Sequence, residues 1–281
     1  MDISVQRAQR SLPQRCVLAW RKYSAVFRVS IANNLAYSNE VIFRTLLLLV
    51  LVFVLSQLWT TTFSTRGTTQ LSGFTITQMV WYLVAAESIA MSMPALGQRI
   101  DQEVRSGLLA YQLCRPCNYI LYNFAQYLGE RVIRFALNFI IGILLALVMV
   151  GPLQFSWQGW LAWPLVALLA MGIEFVAYFT IGLLAFWLEE TQMFSFIFSR
   201  LTLVLGGVLA PLDIFPQPFR QIVQLLPFST ILYGPARTLV HFEVIPFLNM
   251  LTLQLVTLLV GSIVLLLVYR QAIRHVNING G

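Results

Sequence analysis

Charge is scarce in this chain. Asp, Glu, Lys and Arg together make up 10% of its 281 residues, against about 25% in a soluble domain, while 58% are hydrophobic. That balance excludes a soluble globular enzyme, and it excludes intrinsic disorder or a collagen-like chain as well. Cysteine is also sparse, and three cysteines do not make a disulfide framework. Two of them, in Cys114-Arg115-Pro116-Cys117, have the C-x2-C spacing of half a structural zinc site. Cys16 is the only other cysteine, and the histidines are two, His241 and His275. A metal or redox role is therefore not expected, and the cytosol would keep these thiols reduced. Absent too are the G-x4-G-K-[ST] phosphate loop, a G-x-G-x-x-G turn after a strand, and H-E-x-x-H. No Ser, His and acid set falls on one membrane face. The chain is expected to carry no catalytic site and no cofactor of its own. Its net charge of +7 is spread as a topology signal, not gathered into a nucleic-acid stripe.

Long uncharged runs take the place of all this. Residues 45–65, 67–86, 135–173 and 244–269 contain no Asp, Glu, Lys or Arg, and each exceeds what a buried soluble helix needs. The first lies too far along, with too many others after it, to read as a cleaved signal peptide. The run at 135–173 must fold back on itself. Gly151-Pro152, with Gln154, Ser156 and Gln158, supplies the turn, and Trp157 and Trp160 suit a membrane interface. The expected architecture is an all-α membrane protein forming one transmembrane unit. Its six spans are placed at about 42–60, 75–97, 132–150, 159–187, 192–210 and 246–269. The fifth is short and interrupted by Arg200.

The basic residues orient these spans. Arg7, Arg10, Arg15, Arg21, Lys22, Arg28 and Arg44 fall within residues 1–44. Arg99, Arg105, Arg115, Arg131 and Arg134 fall in the 99–134 connection, and Arg200, Arg270 and Arg274 share that side. The other side receives only Arg66, Arg220 and Arg237. The positive-inside rule then puts both termini in the cytoplasm. A five-span alternative, with the Arg200 segment re-entrant, would leave Arg270 and Arg274 outside.

Outside the spans, Trp20, Tyr23, Phe27 and Ile31 share a helical face within 16–37, with Arg21, Lys22 and Arg28 off that stripe. Such a helix would lie on the cytoplasmic membrane surface against anionic lipids, as a plain anchor or as a structural elbow that also packs against a transport pathway. In 100–113, Ile100, Val104, Leu108 and Tyr111 form a second stripe beside the polar Asp101, Glu103 and Arg105. Gly107 permits a kink or close packing, and Arg115-Pro116 interrupts the helix before a second one rises. Periodicity leaves partner docking and membrane association equally open. On the outer side, 211–245 is apolar yet broken by Pro211, Pro216, Pro227 and Pro235. Phe219, Ile222, Val223 and Leu226 suit one short helix and 228–233 a second, in a partly inserted hairpin that also carries Asp213. It could be a lid over a pathway or a structural element.

Three charges fall within apolar runs. Glu174 lies mid-span in LLAMGIEFVAYF, Glu87 in WYLVAAESIAMSM, and Arg200 near a cytoplasmic end where it can snorkel. An interhelical hydrogen bond or ion pair, a proton relay and contact with a cationic substrate are the readings for the two glutamates. Gly142-x3-Ala146 marks a close helix approach, and Gly206-Gly207 softens the fifth span.

Two segments carry a family resemblance. EVRSGLLAYQLCRPCNYILY followed by LGERVIRF resembles the cytoplasmic coupling region of ABC-2 type permeases. PLDIFPQPFRQIVQLLPFSTILYGPAR, at 211–237, resembles the external hairpin of the viologen-exporter-like and daunorubicin-like subgroup. The resemblance implies a fold of ABC-2 exporter type in a bacterial plasma (inner) membrane. Residues 16–37 would be the connecting helix and 100–113 the coupling helix seated in a separate ATPase. Asp101, Glu103 and Arg105 would be its polar docking residues, with Leu108 and Leu109 beside Gly107 its apolar ones. Two ATPase subunits, binding ATP and Mg, would power two permease subunits, identical or homologous. An ion-coupled secondary transporter and a non-transporting membrane scaffold or sensor are the competing classes.

Overall fold

The structure is a computed structural model that describes residues 12–36 and 38–279, with side chains described for 20–36 and 42–274. The side chains of Arg7, Arg10, Arg15, Cys16 and His275 lie outside the described residues. Apart from one bridge between Leu71 and Phe74, the described elements are helices. They are α1 (Leu12–Ala36), α2 (Ser38–Arg66), α3 (Ile76–Met91), α4 (Leu96–Arg105), α5 (Leu108–Leu113), α6 (Tyr119–Val150), α7 (Trp157–Leu183), α8 (Gln192–Leu205), α9 (Gln217–Leu225), α10 (Pro227–Ile231), α11 (Tyr233–Val240) and α12 (Val244–Asn279).

Five segments are long and apolar enough to cross a membrane: Ile42–Arg66, Ile76–Arg105, Tyr119–Val150, Trp157–Phe186 and Val244–Arg274. The fifth expected span, 192–210, is shorter than its apolar run. α8 has 14 residues, roughly 21 Å of helix against a hydrocarbon core of about 30 Å. Its end is set by Gly206-Gly207, with Gly207 at φ +69°, so the glycine pair terminates the helix instead of softening its interior. The third span departs in the opposite sense. Expected at 132–150, it begins at Tyr119, where the Asn118 side chain accepts the Leu121 N–H at 3.0 Å as an N-cap. Arg131 and Arg134, expected in a cytoplasmic connection, are thereby drawn into the helix and buried.

α3 forms the centre. Every residue from Met79 to Ile89 is buried, so this helix is enclosed on all faces. A capping box between Thr75 and Gln78 starts it. α6 lies close against it because Gly142 has no side chain, and a Cβ there would come within 2.7 Å of Val84; Gly142 and Ala146 are both buried, as their spacing suggests. α2 and α12, by contrast, turn long apolar stripes outward (Leu46, Val50 and Phe53; Leu259, Ile263 and Leu266), the surface expected where lipid is the solvent. α1 packs along α6 at Gly129, where a Cβ would lie 2.6 Å from the Phe27 carbonyl. Ser30 and Asn34 are buried there, and Asn34 Oδ1 accepts from Arg134 Nε at 3.1 Å. Tyr23, Phe27 and Ile31 are half-buried while Trp20 is exposed. α1 is thus packed on the bundle along α6.

Candidate functional site

The chemistry-bearing side chains gather where the second span breaks. Pro94 has no N–H to continue the helix, so α3 stops at Met91 and the chain turns into α4. The carbonyls this leaves unserved are taken up by side chains. Ile89 O accepts from Ser92 Oγ at 2.7 Å and Arg131 Nη2 at 3.2 Å, and Met93 O accepts from Arg44 Nη1 at 3.2 Å. Arg131 reaches further. Its guanidinium pairs with Glu174 of α7, hydrogen-bonds Tyr127 Oη and approaches Met93 Sδ at 3.1 Å. Tyr127 Oη in turn donates to the Met171 carbonyl at 2.9 Å. One buried arginine therefore joins the end of α3, α6 and α7. Glu174 has the interhelical ion pair that was one of its readings. Its partner was hidden because Arg131 sits at the edge of an apolar run, in GERVIRF, where it counts as a loop charge. The usable signals were an uncompensated mid-membrane glutamate and Tyr127 one turn before an arginine. Glu87 is also buried, and its Oε2 has no hydrogen-bond partner among the described residues.

α4 lies against the ends of α7 and α8 through two glycines. A Cβ on Gly182 would fall 2.6 Å from Ile100 Cβ, and one on Gly97 2.8 Å from Ser195 Oγ. Polar contacts hold α4 on both flanks. Toward α6, Arg99 pairs with Glu130 at 2.7 Å and Tyr119 Oη donates to Glu103 at 2.6 Å. Toward the α7–α8 turn, Thr191 Oγ1 donates to Asp101 at 2.7 Å, and Arg105 donates to Asp101 at 2.9 Å and to Leu188 O at 3.3 Å.

The 100–113 segment is two helices, not one. Gly107, at φ +72°, makes the left-handed turn between α4 and α5 that a side chain would strain. Asp101 and Leu109 face inward and are buried, Glu103 is half-buried, and Arg105 is exposed while bonded to Asp101. The outward surface carries Gly107, Leu108 and Tyr111, with the Arg115 guanidinium 5.3 Å above the Tyr111 ring. Cys114 and Cys117 are free thiols at the turn after α5, and no metal-binding group occurs among the described residues.

Above α4, a cavity of about 670 Å³ opens between the break in the second span, α7 and α8. Glu174, Tyr178, Glu190 and Arg200 line it with Met93 and Met193. Arg200 is exposed and stacks over Phe196 at 4.8 Å.

At the opposite end the prolines start helices instead of merely breaking them. Pro211 precedes a 3₁₀ turn, Pro216 caps α9 and Pro227 opens α10. The second expected short helix is two, α10 and α11, with Pro235 buried in α11. The hairpin closes on α3 and α2 through Tyr82 Oη to Gly207 O at 2.6 Å and Trp59 Nε1 to Leu209 O at 3.2 Å. Asp213 ties its parts together, pairing with Arg220 at 2.6 Å and accepting from Tyr233 Oη at 2.8 Å.

These features define an all-α, multi-span membrane protein whose interior charges join helices, with a short helix bonded on both flanks at one end and a proline-shaped hairpin at the other. The chain belongs to the ABC-2 family of membrane transporters: the family described as "ABC-2 family transporter protein" matches residues 41–280. No match is found among curated proteins.

Proposed function

We propose that this chain is the permease subunit of an ABC exporter, moving an amphiphilic or hydrophobic substrate across or out of the membrane. A separate pair of ATPase subunits, holding ATP and Mg, would drive it, and a second permease subunit, identical or homologous, would complete the pathway. The observation that carries this reading is the setting of α4. A cytoplasmic helix bonded to α6 on one flank and to the α7–α8 turn on the other can pass a push from outside to both at once. Leu108, Tyr111 and Arg115 are the surface offered to the ATPase. Gly107 sets the bend, and Asp101, Glu103, Arg105 and Leu109 hold the coupling segment from behind.

The topology in this reading has both termini in the cytoplasm of a bacterial inner membrane. α8 and the hairpin after it together make the sixth crossing, which keeps Arg270 and Arg274 inside. The viologen-exporter-like or daunorubicin-like subgroup is read from the sequence resemblance of the hairpin that carries Pro211, Asp213, Pro216, Pro227 and Pro235. The cavity beside Glu174 and Arg200 opens toward the coupling helix and suits entry of an amphiphile from the inner leaflet.

The test is co-purification of the tagged chain with its co-expressed ATPase. Leu108→Asp with Tyr111→Asp, at exposed positions that leave the core intact, is expected to abolish capture while membrane insertion stays normal. Undiminished capture would overturn the docking assignment.

A further inference from the structure

Between the external hairpin and the outer end of α12 lies a cleft of about 660 Å³. Arg220, Arg237 and Glu243 stand at its rim, and Met250, Leu253 and Val256 form its deeper wall. Asn249, Leu253 and Val256 recur at helical spacing and line one face of α12. From Glu243 to Val256 the chain advances roughly 20 Å at helical rise, more than the ~15 Å half-thickness of a bilayer core. Glu243 immediately precedes the apolar Val244–Arg274 crossing, so the charges fall at the membrane edge of that segment and the apolar wall extends along it by about the length of an acyl chain.

Only three basic residues fall on this side of the chain, and two of them meet here. The Asp213 side chain, 6% exposed, lies between them, 2.6 Å from Arg220 and 3.7 Å from Arg237 Nε, so one carboxylate faces two guanidinium groups. The second counter-charge, Glu243, is exposed. It stands 3.3 Å from Arg237 Nη2, longer than the 2.7–2.9 Å of a well-made charge-assisted bond. Its other oxygen is held by His241 at 2.9 Å. Arg237 Nε is buried without a hydrogen-bond partner among the described residues. Arg237 thus keeps unused donor capacity beside a loosely held carboxylate.

We propose that this cleft binds one anionic amphiphile of the outer leaflet, with a phosphate-type headgroup on Arg220 and Arg237 and the chain along Leu253 and Val256. Glu243 occupies the headgroup position until displaced. The site rests on the orientation of the chain and not on ATPase coupling, so binding to the purified chain tests it independently of transport.

The intact chain in detergent is titrated with phosphatidylglycerol and with phosphatidylcholine of the same acyl chains, and bound lipid is counted by native mass spectrometry. The anionic lipid is expected to bind about tenfold more tightly. Glu243→Gln removes the competing carboxylate and is expected to tighten it further. Val256→Trp, at an exposed position lining the cleft, adds bulk to the chain wall and is expected to weaken both lipids. Arg237→Gln is expected to erase the preference. Because that change also unsettles Asp213, Glu243→Gln and Val256→Trp are the deciding variants. Equal affinity for the two lipids, or weaker anionic binding in Glu243→Gln, overturns the proposal. So does full displacement of the lipid by inorganic phosphate with no effect of Val256→Trp, which would make this a site for free phosphate.

Discussion

Arg131 of α6 and Glu174 of α7 form an ion pair in which neither side chain is exposed. The arginine simultaneously serves the Ile89 carbonyl, freed where Pro94 ends α3. The break that sends the chain from α3 into α4 is therefore fastened to the bundle interior by one side chain.

Removing one partner of this pair strands a buried charge, which costs about 3–5 kcal/mol. Arg131→Met and Glu174→Leu are each expected to lower the melting temperature sharply in detergent, and the double variant to recover most of the loss. Recovery of stability without recovery of ATP-driven transport would identify the pair as part of coupling. Single variants that melt like wild type would show that the charges are not paired.

Gly182→Ala puts a Cβ against Ile100 and the Gly97 carbonyl, both on α4 and neither the far end of a flexible side chain, so α4 must shift. The variant is expected to insert and capture ATPase normally while losing substrate-stimulated ATP hydrolysis. Gly67→Ala, at a turn with open space around it but φ +62°, should cost about 1 kcal/mol of stability through backbone strain alone and leave coupling intact.

Glu87 is buried with an unserved oxygen. Substitution by Leu is expected to raise stability, because an uncompensated buried polar group is removed. Transport is expected to fall if a cation or proton passes this point, measured in proteoliposomes against Glu87→Gln. Full activity in both variants would assign Glu87 to packing.

The hydrogen bond from His241, helped by Arg237, holds the Glu243 carboxyl below its ordinary range. A lowered folded-state value means that its stabilising contribution is complete above the unfolded value, about 4.3, and is lost as pH falls through the lower folded value. The melting temperatures of wild type and Glu243→Gln should differ slightly near neutrality and converge in acid. The gap stays small because Glu243 is solvent-screened. A gap that widens in acid would refute the linkage.

Chain composition and periodicity were enough for the solvent, the helical class and five of the six expected crossings. Each depends on summed hydrophobicity or on local backbone rules. Long apolar runs need lipid, glycine and proline punctuate helices, and small residues such as Gly142 and Ala146 mark close approaches. Helix ends were less legible. Asn118 capping extended α6 over Arg131 and Arg134, and Gly206-Gly207 cut α8 short, because local caps outweighed the hydropathy that had defined those spans.

What only the tertiary structure decided is which charges meet. Asp101 and Leu109 read as surface residues on the coupling helix, yet Thr191, ninety residues away, meets one and the inner core encloses the other. Glu174 announced that it needed a partner without naming Arg131, and nothing local ties Arg220 and Arg237 to Asp213. Pairings of this kind depend on distance and burial between remote segments. The chain's one-dimensional pattern records the cost of a buried charge, and the fold alone supplies the neighbour that offsets it.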